Sequence, residues 1–165
     1  MKALTLTQPW ATLIASGAKR VETRSWGTSY RGPVAIHAAK GLGPIGGKSG
    51  LRAQCGTPPF DYYILQWRLK TKQIDLPLGA IVAVANLASV KQIDAALRAQ
   101  IISQTKTPNE IDFGDYTSGR YAWFLDDVVA LEKPIPCNGA LGLWEVDVAL
   151  TRSLDTLFLV KREGK

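Results

Sequence analysis

The chain reads as an α+β protein, mainly β, in which a small β-barrel of short strands is decorated by helices. Three observations predict this. Short alternating or β-branched apolar runs recur between Gly/Pro turns. Only two or three helices fall between those strands, and the regular strand-helix alternation of a layered parallel sheet is missing. With 165 residues and a hydrophobic fraction of 46%, there is material for one packed core. One domain over residues 1–165 is therefore expected.

Leu4 and Leu6 alternate with threonines as a first strand, and Pro9 suits the first turn of a helix over Trp10–Ser16 that Gly17 can stop. KRVETRSW alternates again from Lys19 to Trp26. If extended, it sets Val21 and Thr23 on one side and Arg20, Glu22, Arg24 and Trp26 on the other. After the turn-like GTSYRGP, VAIHAA reads as a strand containing His37. Residues 41–50 are rich in Gly and Pro and predict a loop. Pro59 followed by Asp61 marks a helix start for PFDYYILQWRLK. LPLGAIVAVANLASV is the clearest strand, opening on a turn and running into β-branched apolar residues. IDAALRAQIIS predicts an amphipathic helix, TKTPNEIDFGDYTSG a loop, and RYAWFLDDVVALE and ALGLWEVDVAL two strands separated by EKPIPCNG. The tail TRSLDTLFLVKREGK closes with a short helix.

Composition narrows the chemistry. No apolar run approaches the roughly 20 residues of a spanning helix, and the N-terminus lacks a signal-peptide pattern, so a cytoplasmic protein without membrane partners is expected. Two cysteines, Cys55 and Cys137, and a single histidine, His37, are too few for a zinc cluster or a disulfide framework, so no metal and no cofactor are expected. The net charge of +6 is unevenly placed. Residues 1–56 hold eight basic side chains (Lys2, Lys19, Arg20, Arg24, Arg31, Lys40, Lys48, Arg52) and one acid, Glu22, which makes that segment +7 and leaves −1 for the rest. Such an excess favours phosphate-bearing partners, nucleic acid first.

Three motifs can be weighed on their chemistry. GLGPIGGKSG imitates a phosphate-binding loop, but counting back from Gly47-Lys48-Ser49 puts Leu42 where glycine is required, and Pro44 removes a backbone N–H. Asp126-Asp127 are adjacent and would face opposite sides of a strand, as solvated groups at a strand end. His37, in an apolar strand, reads as a hydrogen-bonded core or rim histidine. The segment Gly17-Ala18-Lys19-Arg20-Val21-Glu22-Thr23-Arg24 stands apart, because it sets the one acid of the basic third among cations. A carboxylate held there can orient the cations, accept from a base amino edge or act as a general base; the alternative is an ordinary surface ion-pair ladder.

QPWATLIASGAKRVETRSW, YRGPVAIHAAK, LPLGAIVAVANL and SGRYAWFLDDVVAL with GALGLWEV together resemble the ASCH domain family, relatives of the PUA domains of RNA-modifying proteins. The most specific element is G-x-K-x-x-E-x-R, filled by Gly17, Lys19, Glu22 and Arg24, with Gln8-Pro9-Trp10 and Arg31-Gly32-Pro33 in support. The resemblance implies a PUA-like β-barrel of about six strands with flanking helices, and a positively charged cleft, lined by that motif, for RNA or a modified nucleoside. Residues 41–75 have no counterpart in these blocks and read as an insertion forming a flap beside the cleft.

Two functions are implied by the resemblance. In an RNA- or nucleotide-binding module, Lys19, Arg24, Arg31 and Arg120 contact phosphates, Trp10, Trp26 or Tyr121 stack on a base, Glu22 reads a base edge, and Gln8 belongs to the same site. Trp67, Trp123 and Trp144 sit in apolar runs and read as core. The alternative is a metal-independent ribonuclease or a hydrolase of a modified nucleoside, with Lys19 and Glu22 as catalytic pair. One branch of the family is said to use the motif's Lys with a Thr. Glu22 occupies that Thr position here, and Thr23 is expected on the opposite face.

Overall fold

The computed structural model describes residues 1–41, 47–104 and 109–163. Its centre is a six-stranded mixed sheet curved into a half-barrel, with strand order β2-β5-β4-β3-β1-β6. The elements run β1 (Lys2–Leu6), α1 (Trp10–Ser16), β2 (Val21–Arg24), β3 (Gly32–Ala38), α2 (Gly47–Cys55), α3 (Phe60–Thr71), β4 (Ala80–Gln92), α4 (Ala95–Gln104), a 3-10 turn at Glu110–Phe113, β5 (Tyr121–Pro136), β6 (Leu143–Glu145) and α5 (Val148–Glu163). β1 and β3 are parallel, and the other pairs are antiparallel.

Period-two patterning splits the core across the sheet. Leu4, Leu6, Val34, Ile36 and Leu87 face Ala11 and Ile14 of α1, whereas Ala3, Ala35, Ile81 and Val84 face Leu154 and Phe158 of α5. The ladder between β4 and β5 shifts register three times, and such bulges bend a sheet. One shift falls at the acidic pair: Asp126 accepts from the Asn86 amide at 2.8 Å, and Asp127 adopts a φ of 47°. These aspartates therefore lie inside a bulged strand and not at a strand end.

Helix ends are set by local chemistry. Gly17, at φ 80°, closes α1 by donating to the Ile14 carbonyl at 2.9 Å. Asp147 accepts from the Ala149 N–H at 2.8 Å and starts α5 as its cap, so the strand expected over residues 140–150 shrinks to Leu143–Glu145. The closing helix is correspondingly longer than expected, at 16 residues. β5 runs on to Pro136, through the first half of the expected turn EKPIPCNG. Of the expected loop over 41–50, residues 42–46 lie outside the described residues, with most of the failed phosphate-loop motif, and Gly47 opens α2. α2 and α3 pack on α1 through Cys55, Phe60, Ile64 and Leu13. No described helix is long and apolar enough to cross a membrane.

Candidate nucleic-acid interface

The motif occupies the turn from α1 into β2. Gly17 reverses the chain, the Lys19 N–H donates to the Leu13 carbonyl at 3.1 Å, and β2 then pairs with β5, Glu22 opposite Trp123 and Arg24 opposite Tyr121. The Lys19 side chain is fully buried. Its ammonium donates to the Val21 carbonyl at 2.5 Å and lies 3.6 Å from Glu22 and 4.0 Å from Glu110. An ammonium out of water requires such partners, because desolvation of an unpaired charge costs several kcal/mol.

Glu110 is the residue that sequence reasoning missed. It is 1% exposed, in a stretch expected to be a polar loop. One carboxylate oxygen accepts from the Arg20 N–H at 2.8 Å, and the other from the Val21 N–H at 3.0 Å and the Tyr116 hydroxyl at 3.1 Å. Burial, then the negative charge of Glu110, pushes the Tyr116 phenol far above its ordinary range. The available signal was slight: an acid directly before Ile111 and Phe113, two apolar residues of the kind that draw a loop inward.

Above this buried layer opens a cleft of about 700 Å³. Glu22, Thr23 and Arg24 of β2, Trp10 of α1, Thr5 of β1, Gln54, Phe60, Asp112, Phe113, Asp115 and the Ala140–Gly142 loop line it. Arg24 sits 3.9 Å from Glu22 and 5.6 Å from the Trp26 ring. Trp10 is braced edge-on by Phe60 at 6.2 Å. Burial raises the Glu22 carboxyl above its ordinary value, against the pull of Lys19 and Arg24.

The expected site residues separate. Trp10, Glu22 and Arg24 line the cleft, and Lys19 lies beneath them. Gln8 is fully buried, its amide donating to the Pro77 carbonyl at 2.8 Å and accepting from the Thr12 N–H at 3.2 Å, which braces α1. Trp26 packs against Trp123 at 4.8 Å. Arg31 is exposed and donates to the Thr28 and Tyr30 carbonyls. Arg120 is ion-paired with Asp115 at 3.3 Å, steadying the cleft's rim without lining it, and Tyr121 packs against Gly27. Arg20 leaves its expected neighbours for a separate hollow beside Lys91 and Phe124.

Two expectations change. Thr23, placed by simple alternation on the far face, lines the same cleft as Glu22, and its hydroxyl accepts from the Asp115 N–H at 3.2 Å. The strand is four residues long and the Gly114–Asp115 turn folds back over it, so alternation does not decide which side chains meet the cavity. Nor is the lining net positive: Arg24 is accompanied by Glu22, Asp112 and Asp115. The amino-terminal charge is dispersed, with Lys2 on Glu145 at 2.6 Å and Lys19 neutralised in the interior. Among the described residues no group of three or more His, Cys, Asp or Glu is placed to hold a metal ion.

The chain is similar to known proteins in sequence and in fold. The chain is 26% identical over 144 residues to mouse activating signal cointegrator 1, covering 87% of this chain and 22% of that protein, so it spans about a fifth of that relative's length. Its fold matches the crystal structure of an ASCH protein from Zymomonas mobilis, with a TM-score of 0.53 at 16% identity over 94% of both chains. A tyrosine-to-phenylalanine variant of that protein also matches, with a TM-score of 0.53 at 17% identity over 94% of this chain and 96% of that one. The sequence profile of the ASCH domain spans residues 4–135, which takes in the motif, the cleft lining apart from the Ala140–Gly142 loop, and all or most of five of the six strands, and the chain therefore belongs to the ASCH domain family.

Proposed function

We propose that this domain binds RNA by seating one nucleotide in the cleft. The observation that carries the reading is the convergence of Trp10, Glu22 and Arg24 on one cavity of about 700 Å³. An aromatic side chain offers a stacking surface, a carboxylate accepts from an exocyclic amino group, and a guanidinium grips a phosphate. Within a single domain, the described part of the 41–75 segment serves as the cleft's flap, a reading supported by Gln54 and Phe60 on the cleft wall. With one lining cation among the described residues, binding falls gently with salt, with a slope near −0.7 in log K against log salt for one phosphate on a single strand.

Calorimetric titration with the four ribonucleoside 5′-monophosphates tests this. Trp10→Ala removes stacking worth about 1–3 kcal/mol, roughly fivefold to over a hundredfold in affinity. Unchanged affinity in both Trp10→Ala and Arg24→Ala, with melting temperatures intact, rejects the assignment.

One observation favours a second, hydrolytic reading: Glu22 is a carboxyl of raised pKa inside a cleft, the setting of a general acid or base. In that reading Lys19 positions Glu22 and does not itself take a proton from substrate, since its ammonium is buried. Labelled RNA and acylated nucleosides, incubated with the protein in EDTA, discriminate. Turnover that Glu22→Gln abolishes while binding survives supports the enzyme, and binding without turnover supports the module.

A further inference from the structure

The cleft does not end at Thr5. A second hollow of about 700 Å³ adjoins it, and Thr5, Ala39, Ala140 and Leu141 line both. Among the described residues, Lys40 is the one Lys, Arg, Asp or Glu on the wall of the second hollow. It is exposed and forms no ion pair among the described residues. Leu141 stands at the boundary 97% exposed, an apolar side chain raised between the two spaces.

The floor of this hollow holds His37. It is 2% exposed, its Nε2–H donates to the Cys137 carbonyl at 3.1 Å, and its Nδ1 has no hydrogen-bond partner among the described residues. Nδ1 is aimed at the loop that walls the hollow: a Cβ built on Gly139 would lie 2.5 Å from it and 2.8 Å from the Thr5 hydroxyl. A buried acceptor without a donor is costly, and among the described residues this one is left unpartnered against the loop that walls the hollow.

Resting on the nucleotide reading of the first cleft, we propose that the second hollow receives the next nucleotide of the same strand. The strand crosses Leu141, on which a base plane can rest, and Lys40 takes the phosphate of the second unit. The domain's ligand is then a ribonucleotide strand of two or more units, and not a free nucleoside. A mononucleotide fills the first cleft alone.

The experiment compares ribonucleoside 5′-monophosphates with 5′-phosphorylated dinucleotides of the same bases, on the parent protein and Lys40→Ala. One further phosphate contact steepens the salt slope by about 0.7, which at 0.1 M salt is about fivefold in affinity. The parent is therefore expected to bind the dinucleotide at least fivefold more tightly, and in Lys40→Ala that ratio falls to within twofold of unity. His37 is the chain's single histidine, so its ring signals in a nitrogen-detected spectrum report on this hollow alone; they shift with the dinucleotide and stay fixed with the monomer. Mononucleotide binding with no dinucleotide gain, a gain that survives Lys40→Ala, or a silent His37 overturns the inference and spares the first cleft. Absence of binding by either ligand overturns both.

Discussion

Replacing Glu110 tests whether the motif is built from below. Glu110→Ala removes the acceptor of two backbone N–H groups and of the Tyr116 hydroxyl, and one of the two carboxylates beside the buried Lys19 ammonium. Hydrogen bonds to a charged acceptor contribute about 1.5–3 kcal/mol each. Breaking a buried ion pair from one side costs about 3–5 kcal/mol. These terms overlap, so the hydrogen bonds alone set the smallest total, about 4.5 kcal/mol, against roughly 5–15 kcal/mol for a whole domain. Glu110→Gln keeps the shape and one acceptor oxygen, and should cost about 2–3 kcal/mol while remaining foldable. Urea titration followed by tryptophan fluorescence measures both, with an unchanged m-value as the check on cooperative unfolding. A double-mutant cycle with Lys19→Met isolates the ion pair, whose coupling should exceed about 0.5 kcal/mol. The reasoning fails if Glu110→Gln lies within about 0.5 kcal/mol of the parent, the range of an ordinary surface change.

Gly139→Ala places a methyl group against His37 and Thr5; overpacking of this kind costs about 1–3 kcal/mol, read as a lowered melting temperature, and an unchanged melt would show that the loop yields freely. Burial holds the His37 pKa below its ordinary 6.5, so between that lowered value and 6.5 the unfolded chain binds more protons than the folded one. The stability this group contributes is complete above pH 6.5 and is lost as pH falls through that window. Melting curves from pH 7.5 to 5.5 should show the loss in the parent and a flatter profile in His37→Gln; parallel profiles would contradict it.

Much of the fold was legible because local chemistry and tertiary packing agree. α1 falls between its Pro9 and Gly17 signals, and β1, β3 and β4 are the runs whose alternate residues reach opposite cores. Sequence patterns missed one local cap and the features set by distant partners. Val146 and Val148 continue a strand's alternation, yet the Asp147 cap turns the chain into α5. Glu110 is indistinguishable from a solvated loop acid until Arg20 and Val21, where the chain enters β2 about 90 residues earlier, bring two N–H groups to it. The positive cleft failed for a related reason, since charge counted along a segment says nothing of which groups are spent in pairs. Of the candidate site, Trp10, Glu22 and Arg24 were readable from the motif, whereas Asp112 and Phe113 arrive from the 3-10 turn and Asp115 from the Gly114–Asp115 turn next to it.

The stacked arrangement carries a consequence for binding. Lys19 is committed to the interior, so among the described residues Arg24 is the lining cation left to meet a phosphate, and Arg24 also stabilises the ionised form of Glu22. A phosphate drawn to Arg24 weakens that support and sets another negative charge near a carboxyl whose pKa burial already raises. With a base that offers Glu22 no amino group, the pKa of Glu22 is expected to rise further in the complex, and by linkage the ligand binds with proton uptake and more tightly as pH falls toward that value. Uridine 5′-methylphosphate suits the measurement, because its one phosphate is a diester that falls to Arg24 and does not titrate near neutrality, and uracil carries no exocyclic amino group to act on Glu22. Calorimetry in buffers of different ionisation enthalpy should show uptake in the parent and none in Glu22→Gln. Proton release, or uptake that persists in Glu22→Gln, would mean that the phosphate does not sit at Arg24.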